Sequence, residues 1–139
     1  MLVLLGLMIV HVSNPLALAA DYNRPAGVEI LGGEQIVQHL AGNSLANRMY
    51  VEFYVSPATD QQQGPLRGRS QTYGDYVGRW SIEGQLICIE YEQRLMMPLG
   101  DCYTVALVGE ETRIYRKDGF EMYPDGGRLK RLAGNPENL

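Results

Sequence analysis

Histidine, cysteine and tryptophan are scarce in this 139-residue chain, which holds two, two and one of them respectively. Only His39 lies beyond Ala20. A Ser-His-Asp or Cys-His centre needs an imidazole base beside its nucleophile, so a solitary histidine argues against both. A metal site needs clustered His, Cys or carboxylate ligands, and nothing near His39 has ligand spacing. On a helix His39 shares a face with Gln35 and Gln38, which predicts a surface histidine. No Gly-rich phosphate loop is present, because Gly32-Gly33 has neither the strand-loop-helix setting nor the lysine. No cofactor and no metal are expected.

Charge is absent from the start of the chain. Met1–Ala20 (MLVLLGLMIVHVSNPLALAA) contains no Asp, Glu, Lys or Arg. Leu2–Val12 is an apolar run broken only by Gly6 and His11, and Ser13-Asn14-Pro15 ends any helix. Ala17-Leu18-Ala19 then supplies small residues at the −3 and −1 positions of a cleavage site, the layout of a secretory signal peptide over residues 1–20. The missing basic residue before the apolar run marks either an atypical leader or a true start further upstream. A retained membrane anchor is the rival reading, but a spanning helix needs about 20 apolar residues and Pro15 arrives too early. No cysteine follows the small residues to carry a lipid. The expectation is a periplasmic or secreted domain over residues 21–139, with no stable membrane insertion after leader cleavage.

A basic excess is missing as well: the net charge is −4. Arg113, Arg116, Lys117, Arg128, Lys130 and Arg131 collect late, yet Asp118, Glu121 and Asp125 sit among them. That mixture reads as a solvated face, and no nucleic-acid partner is expected.

The two cysteines, Cys88 and Cys102, are an even pair in a chain read as exported, which points to a disulfide. A metal site lacks partners, and a redox pair is more often spaced as Cys-x-x-Cys.

The remaining pattern predicts one helix followed by strands. Glu34–Ala41 carries Ile36, Val37 and Leu40 on one face, with Gly42-Asn43 as a stop. Met49–Val55 alternates, with Met49, Val51, Phe53 and Val55 on one face and Tyr50, Glu52 and Tyr54 on the other. Leu66–Thr72 reads as a weak strand after the polar loop Ser56–Pro65. Strands are expected at Tyr73–Ile82, Gln85–Glu92, Asp101–Val108, Thr112–Lys117, Phe120–Tyr123 and Arg128–Ala133, with Asp118-Gly119 as a hairpin turn. The fold class is therefore mainly β: one short N-terminal helix packed on an antiparallel up-and-down meander, as a small barrel or a strongly curved sheet. If Gln85–Glu92 pairs antiparallel with Asp101–Val108, Cys88 sits opposite Cys102, Leu86 falls opposite Thr104, and the disulfide staples this hairpin.

The order of short motifs resembles a group of small exported bacterial proteins, common in alphaproteobacteria, that carry a domain of unknown function. The motifs are the helix GGEQIVQHLAGNSL, the strand VEFY, Gly-x-Trp at Gly78 and Trp80, Leu-x-Cys at Leu86 and Cys88, Cys-Tyr at Cys102 and Tyr103, a Gly-Glu turn, and the closing GNPE. The resemblance implies a periplasmic or secreted location, a β-rich domain after a helix, and a cysteine pair. It assigns no active site. One departure is visible: a compact Asp-Gly turn after the aromatic strand is replaced here by SPATDQQQGP.

Tyrosine is what the chain has in quantity: nine, against two phenylalanines. Tyr50, Tyr54, Tyr73, Tyr76, Tyr91, Tyr103 and Tyr115, with Trp80, are the candidate surface for a ligand or partner, since tyrosine joins apolar area to a polar tip. The plainer reading is that tyrosine is simply a good strand former in a thin barrel wall. Glu90, Glu92 and Asp101 are the acid–base candidates, although acids two apart on a strand usually mark a solvated face. Asp75 with Arg79, and Glu52 with a neighbouring Arg, read as surface ion pairs. Met96-Met97 offers thioether ligands, with packing the plainer explanation. The expected function is a non-enzymatic binding or interaction domain for an unknown protein or small ligand. The alternatives are a carboxylate-dependent hydrolase and a purely structural envelope protein.

Overall fold

A computed structural model describes residues 28–58, 61–92, 101–123 and 127–139. The expected leader, the lead-in Asp21–Gly27 and Met96-Met97 lie outside these residues. Among the described residues nine strands and one helix follow in order: β1 (Glu29–Ile30), α1 (Gly33–Leu40), β2 (Asn43–Ala46), β3 (Tyr50–Tyr54), β4 (Gln63–Ser70), β5 (Gly74–Glu83), β6 (Leu86–Tyr91), β7 (Asp101–Val108), β8 (Glu111–Tyr115) and β9 (Leu129–Leu132).

Every pairing is antiparallel and, from β2 to β9, each strand pairs with its neighbours in sequence. β9 then pairs with β2, which closes an 8-strand barrel. β1 lies outside that circle, added to β7 through Ile30↔Ala106 and a Leu31 N–H donated to Val105 O at 2.9 Å. Closure leaves no free edge on the eight, and a barrel of this size is just wide enough to fill with side chains or to hold one small ligand.

Alternation decides which side chains fill it. On β5 Tyr76, Gly78 and Trp80 are buried while Asp75, Val77 and Arg79 are exposed, and on β4 Leu66 and Gly68 are buried while Arg67 and Arg69 are exposed. The charged outer wall is the reverse of the apolar outer band of a membrane-spanning barrel. No helix among the described residues is long and apolar enough to cross a membrane.

In an up-and-down barrel the connections segregate to two ends. The β3–β4, β5–β6 and β7–β8 connections share one end, and α1 packs there. Ile36 and Leu40 are fully buried in the core with Leu45, Leu66, Trp80 and Ile87. Gln35 reaches back to accept the Gly32 N–H at 2.7 Å, so the first turn is capped by its own side chain. Gly33 allows the close approach, since a Cβ there would strike the Gly84 carbonyl and the Ile82 side chain. The other end carries the β2–β3 and β4–β5 connections.

The hairpin register is the one expected. Ile87↔Tyr103, Cys88↔Cys102 and Ile89↔Asp101 are paired, and Cys88 and Cys102 form a disulfide with Cα atoms 4.0 Å apart. Ile87 and Ile89 point inward, so the disulfide lies on the outer face of the wall.

Four expectations need correction. Asn43, expected only as part of the stop after the helix, begins a strand that poor propensity at Asn43 and Ser44 conceals. It is the strand that closes the barrel, with Leu45 fully buried. β4 is a full strand beginning at Gln63, not a weak one at Leu66. Phe120–Tyr123 is not a strand and contributes only the isolated bridge Tyr115↔Glu121. His39 is half-buried instead of on the surface: its Nε2 is 2.8 Å from Thr112 Oγ1, which ties α1 to the fully buried side of β8.

Candidate functional site

The site begins with the alternation of β3. Tyr50, Glu52 and Tyr54 share the inward face, and Glu52 is only 4% exposed. This overturns the surface ion pair expected of Glu52. Three hydroxyls donate to its carboxylate: Tyr76 at 2.8 Å and Tyr91 at 2.7 Å to Oε1, and Tyr54 at 2.9 Å to Oε2. The donors come from β5, β6 and β3, so one carboxylate joins three strands across the barrel interior.

Register explains how these rings fit. Gly68 is the direct partner of Tyr76, and Gly64 of Trp80. A Cβ at Gly68 would collide with the Tyr76 ring, and one at Gly64 would crowd Trp80 Nε1. The two glycines of β4 are the space into which the two largest rings of β5 lean. Tyr76 and Tyr91 meet edge to face, with centroids 5.6 Å apart and planes at 75°. Tyr50 and Tyr123 form a second, tilted pair at 5.5 Å.

Burial pushes the Glu52 carboxyl above its ordinary range, and the Tyr91, Tyr76 and Tyr54 hydroxyls pull it back down. No Lys, Arg or His pairs with it among the described residues. The tyrosines respond to the same burial. Tyr50, Tyr54, Tyr76 and Tyr91 are all raised, first by desolvation and then by the Glu52 charge. Tyr103 is pushed up to about 12 by burial and by Asp101. These hydroxyls are therefore neutral donors at any ordinary pH.

Above this network, at the end opposite α1, is a cavity of about 140 Å³. Tyr50, Tyr73, Tyr76, Tyr91 and Tyr123 supply its rings, with Met49, Ser70 and Thr72 around them and Glu52 in its lining. A further space of about 20 Å³ continues inward between Tyr54, Tyr103, Ile89, Ile114 and Met122. Met49 and Tyr73 stand at the lip, 51% and 43% exposed.

Six of the eight aromatic candidates thus gather on one interior. Tyr50, Tyr73, Tyr76 and Tyr91 line the cavity, and Tyr54 and Tyr103 lie below it. Trp80 does not join them: it is buried in the core, its Nε1 donating to Val55 O at 3.1 Å. Tyr115 does not either, because its partner Thr104 alternates away from the buried Val105 and the strand parity turns Tyr115 outward. Sequence reasoning placed Glu52 on the surface and left Tyr123 and Met49 outside the candidate surface. The signal for Glu52 was present as a Tyr-x-Glu-x-Phe-Tyr strand, whose polar-looking face is the inward one.

Of the acid–base candidates, Glu90 and Asp101 line one open space of about 370 Å³ together with Glu83, and Glu92 is not part of that lining. Glu90 and Glu92 are exposed, while Asp101 accepts the N–H of its own neighbour Cys102 at 2.8 Å. Asp75 pairs with Arg69 across the ladder at 2.6 Å, not with Arg79, and both partners are exposed. Glu83 lies beside Cys88 and Cys102, but those sulfurs are joined to each other and offer no thiolate to a metal. Glu52 is the single carboxylate among the described residues lining the Tyr cavity, so no second acid stands ready for a paired acid–base step.

Comparison with known proteins finds no family model that matches the chain, and no match among curated proteins or solved structures.

Proposed function

We propose that this is an exported, non-enzymatic binding domain that takes a ring-sized group of a small molecule or partner into the Tyr-lined end of its barrel. The observation that carries the reading is the cavity itself. Five tyrosine rings surround about 140 Å³ at one end of a barrel whose other end is filled by α1. A cavity of about 150 Å³ lined by apolar side chains is enough to take up benzene. Tyrosine walls add apolar area at little entropic cost, with few rotatable bonds to freeze. The charge-free leader pattern and the disulfide support export, since disulfides persist in oxidising compartments. The resemblance of the motif order to small exported bacterial proteins points to the same destination.

Calorimetric titration with ring-sized probes such as phenol and cyclohexanol tests the reading on wild type and on Tyr73→Ala. Saturable binding, weakened in Tyr73→Ala at unchanged melting temperature, is expected. Absence of saturable binding across the set would overturn it.

A further inference from the structure

The lining of the Tyr cavity combines two features that a purely apolar pocket does not need: a cluster of aromatic rings and a buried carboxylate with no cation among the described residues. Resting on the proposed binding role, we infer that the preferred occupant is a small organic cation, an amine or a methylated ammonium group, held by the rings over Glu52. The quadrupole of each ring presents negative charge on its face, so several faces around one space favour a cation there. The rings of Tyr50, Tyr73, Tyr76, Tyr91 and Tyr123 line this space from four separate stretches of chain.

Glu52 adds the net charge. A buried ionised carboxylate is costly unless it is paired or hydrogen-bonded. Its three hydrogen bonds come from neutral hydroxyls, which leave the charge in place. Nothing basic among the described residues lines the cavity. On the outer wall Arg69 and Asp75 pair with each other at 2.6 Å, and neither lines the cavity. A cation entering the cavity would therefore supply the missing charge, and a neutral molecule of the same shape would not. The volume between the rings, about 140 Å³, suits a compact head whose remaining part reaches out past the lip.

The test compares choline with 3,3-dimethyl-1-butanol, which has the same shape and no charge. Binding of each is followed through the ring signals of ¹³C-labelled tyrosine. Choline should bind at least about tenfold more tightly than the neutral isostere, the scale of one desolvated cation–π contact. Glu52→Gln should cut that preference while leaving binding of the isostere. Since Glu52→Gln disturbs a buried network, Tyr73→Ala supplies a second variant, removing one exposed ring and weakening choline more than the isostere. Equal affinity for the two probes would overturn the cation assignment and leave the binding pocket standing. Failure of choline to move the tyrosine signals would also overturn it, while the phenol and cyclohexanol titrations decide the broader reading separately.

Discussion

Gly68 and Tyr76 are direct partners across the β4–β5 ladder, and the Tyr76 ring occupies the space that a Gly68 side chain would fill. The contact matters because the same ring donates to Glu52 at 2.8 Å. Glycine is a poor strand residue on propensity grounds, so its presence in the middle of β4 is explained by this close approach.

Gly68→Ala is therefore expected to displace Tyr76 and break its bond to Glu52. Overpacking and a lost bond to a charged acceptor together cost about 2–4 kcal/mol. Urea denaturation checks the stability, and a change in the Tyr76 ring signals checks the cause. A midpoint equal to wild type would show that the interior is looser than the register implies.

The disulfide predicts a second loss. Cys88 and Cys102 are 14 positions apart, and closing a loop of that order contributes about 3 kcal/mol in the chain-entropy model. The double substitution Cys88→Ser with Cys102→Ser should lower stability by that order while leaving far-ultraviolet circular dichroism unchanged, since the β6–β7 hydrogen bonds remain. Protein made in an oxidising compartment should carry no free thiol at these positions. Two titratable thiols in the folded protein would contradict the pairing.

Glu52 predicts an unusual pH dependence. Its folded pKa is raised, chiefly by burial, from an ordinary value of 4.5. A group that binds its proton more tightly when folded contributes stability that is fully present below 4.5 and lost as pH rises through the folded pKa. Wild type should therefore lose stability relative to Glu52→Gln as pH rises from about 4 toward neutrality. Parallel profiles for the two proteins would show that Glu52 does not titrate in the barrel.

His39 predicts the opposite slope. Burial, and then the Arg131 charge, lower its pKa from 6.5. Its contribution is present above 6.5 and lost as pH falls through the lowered folded value. Wild type should lose stability relative to His39→Gln on acidification through that window. Because His39 joins Thr112, amide exchange at the helix is the sensitive readout, and α1 should open before the β3–β6 wall.

Much of the barrel was legible because its strands alternate cleanly. Tyr76, Gly78 and Trp80 announce an inward face, and Cys88 opposite Cys102 fixes a register that pattern alone could set. What escaped was decided by tertiary contact. β2 has almost no strand propensity and forms because Asn43–Ala46 finds partners on both sides, in β3 and β9. β4 looks weak because Gly64 and Gly68 yield their space to rings that lie beyond the next turn, Trp80 and Tyr76 of β5. The tail also closes on β2: Ser44 Oγ donates to Gly134 O at 2.8 Å and Gly134 N–H donates to Asn43 Oδ1 at 3.2 Å. The Gly-Asn that ends the helix and the Gly-Asn of the closing GNPE thus meet. Glu52 was misplaced for a related reason: a carboxylate is expected in water, and only three hydroxyls converging from other strands make its burial tolerable.

The central claim, that the Tyr-lined end of the barrel is where a ligand seats, is tested most directly by position-resolved spectroscopy. With tyrosine and tryptophan labelled, a ring-sized probe should shift the Tyr73, Tyr76 and Tyr91 ring signals along a saturable curve. The Trp80 Nε1 signal, bonded to Val55 O on the far side of the core, should stay fixed. Saturable shifts at Trp80 with the tyrosines unmoved, or no saturable shift at any of them, would contradict the account.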